Sequence, residues 1–395
     1  MPKTSIACFI AAFLVLILVP KSVQANSGDF DGGVAIGSSY AGVDAAPTNG
    51  LIVQGGVGIG TTSPLSGTAL NVNGAFDSNN LLLNGVQVPM TPGGRLTLTS
   101  NTPVMTADVT GASTIYYADY INDLVPLYNG TNWTEYALSG QVSLALDSNS
   151  AHTGYQQSGK LFDLVVNDNS GTPQLCTGPA WTSSTARASA IALQNGIWTN
   201  SGSWTLKCDT TSSTYTCAAN ECTYVGTMYA TANGQTGLNC HPLAAAGGTA
   251  SYIAFANIYN TVPINCISQD STHPWTYSTS TWRAADNSSS NSVSAIDPLG
   301  MYSARGSYLT SGANTGLGQC AYVGLARNST TTQNFSGFDC GPTNTTANNI
   351  APFIAYGGWA PLRGYNSYYA VEYVSSGTAS FNAGDNMFLQ IDTTY

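Results

Sequence analysis

Three histidines, three glutamates and nine cysteines are the residues through which this chain of 395 could do chemistry. His152 lies in the turn-like run "SNSAHTGYQQSGK", His241 follows Cys240, and His273 precedes Pro274. None stands in a triad context, and no G-x-S-x-G elbow occurs to carry a serine nucleophile. Glycoside hydrolysis needs two carboxylates at a fixed separation. Glu135, Glu221, Glu372 and the aspartates supply candidates, but no motif selects a pair. "DFDG", Asp29 to Gly32, offers hard oxygen ligands of the kind calcium prefers, yet the terminal Glu of a calcium loop is missing, so it reads as a turn. Cys217, Cys222, Cys240 and His241 match no common zinc-finger spacing. No metal and no cofactor is therefore expected, and the chain reads as non-enzymatic.

Ligand binding has better candidates. "AYGGWAPLRGYNSYY", Ala355 to Tyr369, places Trp359, Arg363 and Tyr365 in a loop marked by Gly357, Gly358 and Pro361. Aromatic faces stack on sugar rings, and a guanidinium donates to their hydroxyls. These three residues are the expected ligand-binding set. Other aromatics, such as Trp204, Tyr224 and Tyr373, sit in strand-like runs and read as packing residues.

Partners are bounded by charge. Only 8% of residues are charged and the formal net charge is −10, so no basic stripe is available for nucleic acid or an anionic membrane surface. The first 25 residues run from a basic start at Lys3 through an apolar stretch, Ile6 to Val19, to Val23-x-Ala25. That is the layout of a secretory signal cut between Ala25 and Asn26. No other run approaches spanning length, so no membrane insertion is expected after cleavage. A secreted or cell-surface location follows. Export also gives the cysteines their meaning. Cys8 leaves with the signal, and the remaining eight are expected to form disulfides. Cys208 and Cys217 flank a Thr/Ser-rich turn and are the first expected pair; Cys320 and Cys340, consecutive cysteines around a polar segment, are the second. A competing arrangement joins Cys217 to Cys222 and sends Cys208 further away. Cys176, Cys240 and Cys266 complete the set of candidates.

The elements that hold these residues are β-strands. "GGVAIGSS" (Gly32 to Ser39) and "GGVGIGTT" are near copies, followed by "LIVQG" and "LNVNG". Such thin alternating units cannot bury a face alone, which suggests a Gly-rich shaft whose strands share a core between three chains. "RLTLTS", "STIYYADY" and the Asn-Gly turn of "YNGTNW" suggest a small module of hairpins. From Ser139 onwards, runs such as "KLFDLVV", "SWTLKC", "CTYVGTMYAT", "SYIAFANIYN", "SYYAVEYV" and "MFLQIDTTY" recur between turn signals, with no amphipathic helical period. The expected fold is all-β: a signal peptide at 1–25, a shaft at 26–92, a small β module at 93–138, and a β-sandwich or jelly roll at 139–395, assembled as a homotrimer.

"GGVGIGTTSP…LNVNG" resembles the shaft repeats of bacteriophage tail fibres and tail spikes. "GRLTLTSNTPVMTADVTGASTIYYADYINDLVPLYNGTNW" resembles a recurrent tail-fibre module, and "SLALDSNSAHTGYQQSGKLFDLVV", "GPAWTSSTARASA", "LQNGIWTN", "YVGTMYATANGQT" and "WTYSTSTWRAADNS" continue the resemblance over most of residues 50–285. It implies a trimeric, all-β protein at the distal end of a fibre that contacts a cell surface. It carries no catalytic or ligand motif with it. The export signal and the cysteines depart from phage tail proteins, and suggest a module recruited into an exported protein rather than a virion part; a virion tail is the location if the chain is phage-encoded. The function expected is recognition of a surface receptor, a glycan by preference. The alternatives are a glycan-degrading enzyme of the tail-spike kind and a purely structural appendage subunit.

Overall fold

The computed structural model describes residues 86–314, 319–340, 351–382 and 387–395, and before them Ser39 and the strands Val34–Ile36, Leu51–Val53, Val57–Ile59, Leu70–Val72 and Leu82–Leu83. The signal segment, with Ala25 and Asn26, lies outside the described residues. The chain is all-β: the single helical element among the described residues is the 3-10 turn Ala285–Asn287. No described helix is long and apolar enough to cross a membrane.

Contacts divide the chain into two units, Met1–Ser78 and Asn79–Tyr395. In the first, both copies of the repeat form the same structure. Val34–Ile36 pairs in parallel with Leu51–Val53, and Val57–Ile59 pairs in parallel with Leu70–Val72. Valine meets leucine and isoleucine meets valine in each copy, so the V-x-I and L-x-V triplets are the two halves of one pairing unit.

The second unit begins earlier than the Gly-rich composition ends. Gln87 exchanges hydrogen bonds with the backbone of Trp133, and the amide of Met90 donates to Glu135 Oε1 at 2.9 Å. The expected boundary at residue 138 is also not a boundary. Thr114–Asp119 pairs with Gly94–Thr97 on one side and Gln141–Ala145 on the other. Val109–Ala112 pairs with Thr236–Asn239. Arg95 is fully buried and donates to the carbonyls of Asn260, Pro103 and Tyr395. Residues 93–138 are therefore stitched into the larger unit by non-local strand pairing, which composition does not reveal. The hairpin itself forms as expected: Leu124–Tyr128 pairs with Trp133–Ala137, and Asn129 Oδ1 accepts from the amides of Thr131 and Asn132 across the turn.

Two large sheets make a β-sandwich. One runs, in spatial order, Phe335–Cys340, Cys320–Arg327, Gly364–Val374, Ser292–Asp297, Ser251–Ile253, Thr236–Asn239 and Val109–Ala112. The other runs Pro263–Asp270, Met387–Thr394, Ala304–Asn314, Ala379–Phe381 and Trp275–Tyr277, with Ala351–Trp359 also paired to Ala304–Asn314. Alternate residues of each strand point inwards. Val293, Val323 and Ala370 of the first sheet share a core with Tyr308, Phe353 and Leu389 of the second. Burying each large apolar side chain contributes about 1.5–3 kcal/mol. A third sheet, built on Leu161–Asn169, Thr172–Ala180 and Thr223–Tyr229, packs a second cluster around Trp204 and Tyr224.

Two disulfides fasten that third sheet, Cys176–Cys208 and Cys217–Cys222, and a further one, Cys240–Cys266, joins the end of Thr236–Asn239 in the first large sheet to Pro263–Asp270 in the second. This corrects the expected Cys208–Cys217 pair. Trp204–Leu206 and Tyr215–Cys217 do form a hairpin, but its register sets Cys217 opposite Trp204. Cys208 lies past the end of that ladder, where Lys207 bridges to Thr177 and brings Cys208 to Cys176. Cys320 is disulfide-bonded, and it lies in register opposite Cys340. With Cys217, Cys222 and Cys240 oxidised, no thiolate remains beside His241 for zinc.

Candidate ligand-binding surfaces

Of the three residues expected to bind ligand, the fold leaves one available. Trp359 ends the strand Ala351–Trp359, on the same face as Phe353 and Ala355, and points into the sandwich. Its ring packs on Phe335 and Tyr368 with centroids at 5.3 and 4.7 Å, and its Nε1 donates to Asn334 Oδ1 at 3.1 Å. Tyr365 stacks flat on Tyr229, with centroids 4.0 Å apart, beside a cluster of Leu161, Trp181, Ala256 and Ile296. Burial pushes its hydroxyl far above the ordinary phenol range. Trp359 and Tyr365 are thus packing residues. Arg363 is exposed; its Nε donates to the carbonyl of Thr185 at 3.0 Å.

Strand parity exposes a residue that composition passed over. In "PFIAYGGW", Phe353, Ala355 and Trp359 face inwards, so Ile354 and Tyr356 face out, and Tyr356 is 74% exposed. Register builds the rest of this outer face. Ile267, Gln390, Ser307 and Tyr356 form one cross-strand row; Gln269, Phe388, Leu309 and Ile354 form the next. On the far side of the Tyr356 row lie Asn265, Asp392, Arg305 and Gly358. Asn265 Nδ2 donates to Asp392 Oδ1 at 2.6 Å, and Gln390 Nε2 approaches the same carboxylate at 3.3 Å. Four strands at the usual spacing make a face about 15 Å across. It offers one projecting aromatic ring, a floor without side chain at Gly358, and a fixed set of amide, carboxylate and guanidinium groups.

Concave sites lie elsewhere on the described residues, a cleft and a groove among them. A cleft of about 170 Å³ is lined by Tyr128, Tyr136, Asp168 and Glu221, with Tyr136 donating its hydroxyl to Asp168 at 3.0 Å. A groove of about 260 Å³ lies between Arg363 and the segment Ala186, Arg187, Ala190 and Ile191. Arg187 is held there by Asp163, with Nε and Nη2 at 2.7 and 3.1 Å from its carboxylate oxygens, and its guanidinium stacks over Trp181.

Two clusters of ionisable groups are inside. Lys207 Nζ meets Asp147 Oδ2 at 2.9 Å, and both side chains are almost wholly buried. His152 Nδ1 lies 2.8 Å from the same carboxylate. Burial pushes the Asp147 carboxyl up, but the Asn149 amide, Lys207 and His152 outweigh it and hold it below the usual carboxylate range. Glu372 is also fully buried, bonded by Trp275 Nε1 and Arg283 Nε, each at 2.7 Å. Burial wins there and pushes its carboxyl up to about 7. Both sites lack the access a substrate needs and read as internal polar anchors.

No protein-family model and no curated protein matches the chain. Solved structures similar to it include the insecticidal delta-endotoxin Cry8Ea1 from Bacillus thuringiensis, at 8% identity over 76% of this chain and 51% of that one, with a TM-score of 0.19. A Bacillus thuringiensis Cry1Da tryptic core variant is 9% identical over 72% and 48%, with a TM-score of 0.17. The chain spans about half the length of each. Scores this low transfer neither fold nor function from those proteins.

Proposed function

We propose that this chain is an exported, fibre-type recognition protein that binds cell-surface glycans through the outer face of its sandwich, without catalysis. The observation that carries the reading is Tyr356, which stands 74% exposed on the outer face of the sheet, with the polar row of Asn265, Asp392 and Arg305 on one side of its own row. A tyrosine 74% exposed on an outer strand of the sheet has little packing role, and it presents apolar area at small entropic cost. Arg305 on the adjoining strand, and Gln390, Asp392 and Asn265 on the two strands beyond, supply donors and acceptors on the same face. The resemblance to tail-fibre modules supports the same reading, as does the paired-strand repeat that precedes the sandwich. Assembly as a homotrimer belongs to this proposal; light scattering of residues 26–395 at three times the chain mass is its test.

Glycan-array binding by the purified exported chain tests the reading. A tyrosine side chain offers about 150–250 Å², so covering it with a sugar ring contributes about 2–3 kcal/mol. Tyr356→Ala should weaken array binding by about 30-fold or more, with an unchanged melting temperature. Equal binding by wild type and variant would overturn the site, and failure to bind any glycan would overturn the function. A second reading, glycan cleavage, rests on the cleft that holds Asp168 and Glu221 together. Release of reducing ends by wild type and not by Asp168→Asn would replace the non-catalytic reading.

A further inference from the structure

We infer that the groove between Arg363 and residues 186–191 is an anion subsite that takes the carboxylate of an acidic sugar. The inference rests on the glycan-binding reading and names the class of glycan. It starts from scarcity: the chain has six arginines and a net charge of −10, yet two of the six converge on one open groove. Elsewhere Arg95 is buried against three carbonyls and Arg283 is paired with Glu372.

The two guanidiniums at the groove are held in place without being used up. Arg187 spends Nε and Nη2 on Asp163 and Tyr224; Nη1 makes no hydrogen bond among the described residues. Arg363 spends only Nε, on Thr185, and no described carboxylate lies within ion-pair distance of it. Its Nη1 and Nη2 are left as a fork, the arrangement that accepts a planar carboxylate on two parallel hydrogen bonds. Asp163 neutralises Arg187, so the groove carries the uncompensated charge of Arg363.

The backbone around it is preformed. Ser183 Oγ accepts from the amides of Thr185 and Ala186, and the amide of Tyr365 donates to the Ser184 carbonyl. A Cβ at residue 364 would fall 2.0 Å from the Ser184 carbonyl oxygen, so Gly364 permits the close approach that sets Arg363 against this loop. Ala186, Ala190 and Ile191 give the groove small apolar walls, suited to the face of a ring. At about 260 Å³ it lies just below the ~300 Å³ at which small-molecule pockets begin. That is room for one terminal sugar rather than a chain of them.

The test is saturation-transfer NMR on the exported full chain with N-acetylneuraminate, glucuronate and neutral galactose as probes and inorganic sulfate as a competitor. The expected result is transfer to at least one acidic sugar, with affinity falling about tenfold or more in Arg363→Gln and by an intermediate amount in Arg363→Lys, which keeps the charge and loses the fork. Arg363 is exposed, so both variants should keep the wild-type melting temperature. Acidic and neutral sugars binding alike, or Arg363→Gln binding acid sugars like wild type, would overturn the subsite; if Tyr356-dependent array binding persists, the glycan reading survives that failure. Sulfate displacing acid sugars at equal concentration would overturn the choice of carboxylate. Transfer to no sugar at all would overturn the sugar.

Discussion

Asp147→Asn removes the carboxylate that neutralises Lys207 inside the protein and leaves an amide of nearly the same shape. Lys207 Nζ then keeps only the carbonyls of Thr211 and Ser213 and an outlying carboxylate, Asp209, at 4.0 Å. Breaking a buried pair from one side costs about 3–5 kcal/mol, because the surviving charge stays desolvated. In a unit as large as Asn79–Tyr395, each kcal/mol moves the melting temperature by about 2 °C, so a fall of about 6–10 °C is expected. Lys207→Met should cost a similar amount by stranding Asp147. The double variant should recover part of the loss, since neither charge is left. The cycle should return a coupling of about 2–3 kcal/mol. Acid should reproduce the effect in the wild type. The Asp147 carboxyl is lower in the folded than in the unfolded chain. The unfolded state therefore binds more protons across that window, and stability is lost as pH falls through the folded value. Asp147→Asn should lack this acid-sensitive component. Calorimetric or circular-dichroism melts of the four chains decide the matter. A single variant within about 1 °C of wild type, or strictly additive losses, would show that the pair is not an internal anchor.

Glu372 predicts the opposite pH sign: with its carboxyl raised to about 7 by burial, the folded state binds the extra proton, so stability should fall as pH rises from about 4.5 to about 7. The fall should be smaller in Glu372→Gln, as urea titrations at the two ends of that range would show. Gly226→Ala should destabilise by about 1–3 kcal/mol, because a Cβ there meets the Ala256 carbonyl oxygen at 2.2 Å and Leu96 Cδ1 at 2.5 Å; a neutral thermal shift would contradict the packing. Non-reducing peptide mapping should recover Cys176 linked to Cys208 and Cys217 linked to Cys222, and Cys176→Ser/Cys208→Ser should cost about 2–4 kcal/mol in denaturant. A Cys208–Cys217 peptide would overturn the observed register.

What the sequence made legible was local. Strand-like runs such as "KLFDLVV" and "MFLQIDTTY" became Leu161–Asn169 and Met387–Thr394, and the Asn-Gly turn closed its hairpin. The failures share a physical cause, which is register between distant strands. Cys208 went to Cys176 because a single bridge, Thr177 to Lys207, sets where the hairpin docks. Val109–Ala112 joined a strand beginning at Thr236, which erased an apparent domain boundary. Trp359 and Tyr356 differ by three positions, an odd number, so in one strand they take opposite faces; parity was readable, but which parity faced the core was not. Arg187 and Arg363 meet across a groove although nothing in either segment refers to the other.

The repeat has a consequence for how such a protein changes over generations. Each copy satisfies its own backbone pairing, Val34–Ile36 with Leu51–Val53 and Val57–Ile59 with Leu70–Val72. Replication slippage that adds or deletes one copy therefore breaks no ladder in the copy that remains. The number of units can then drift while the sheets encoded elsewhere in the chain are inherited unaltered. Lineages carrying this protein are expected to differ in the number of V-x-I/L-x-V units far more than in the spacing within any one of them.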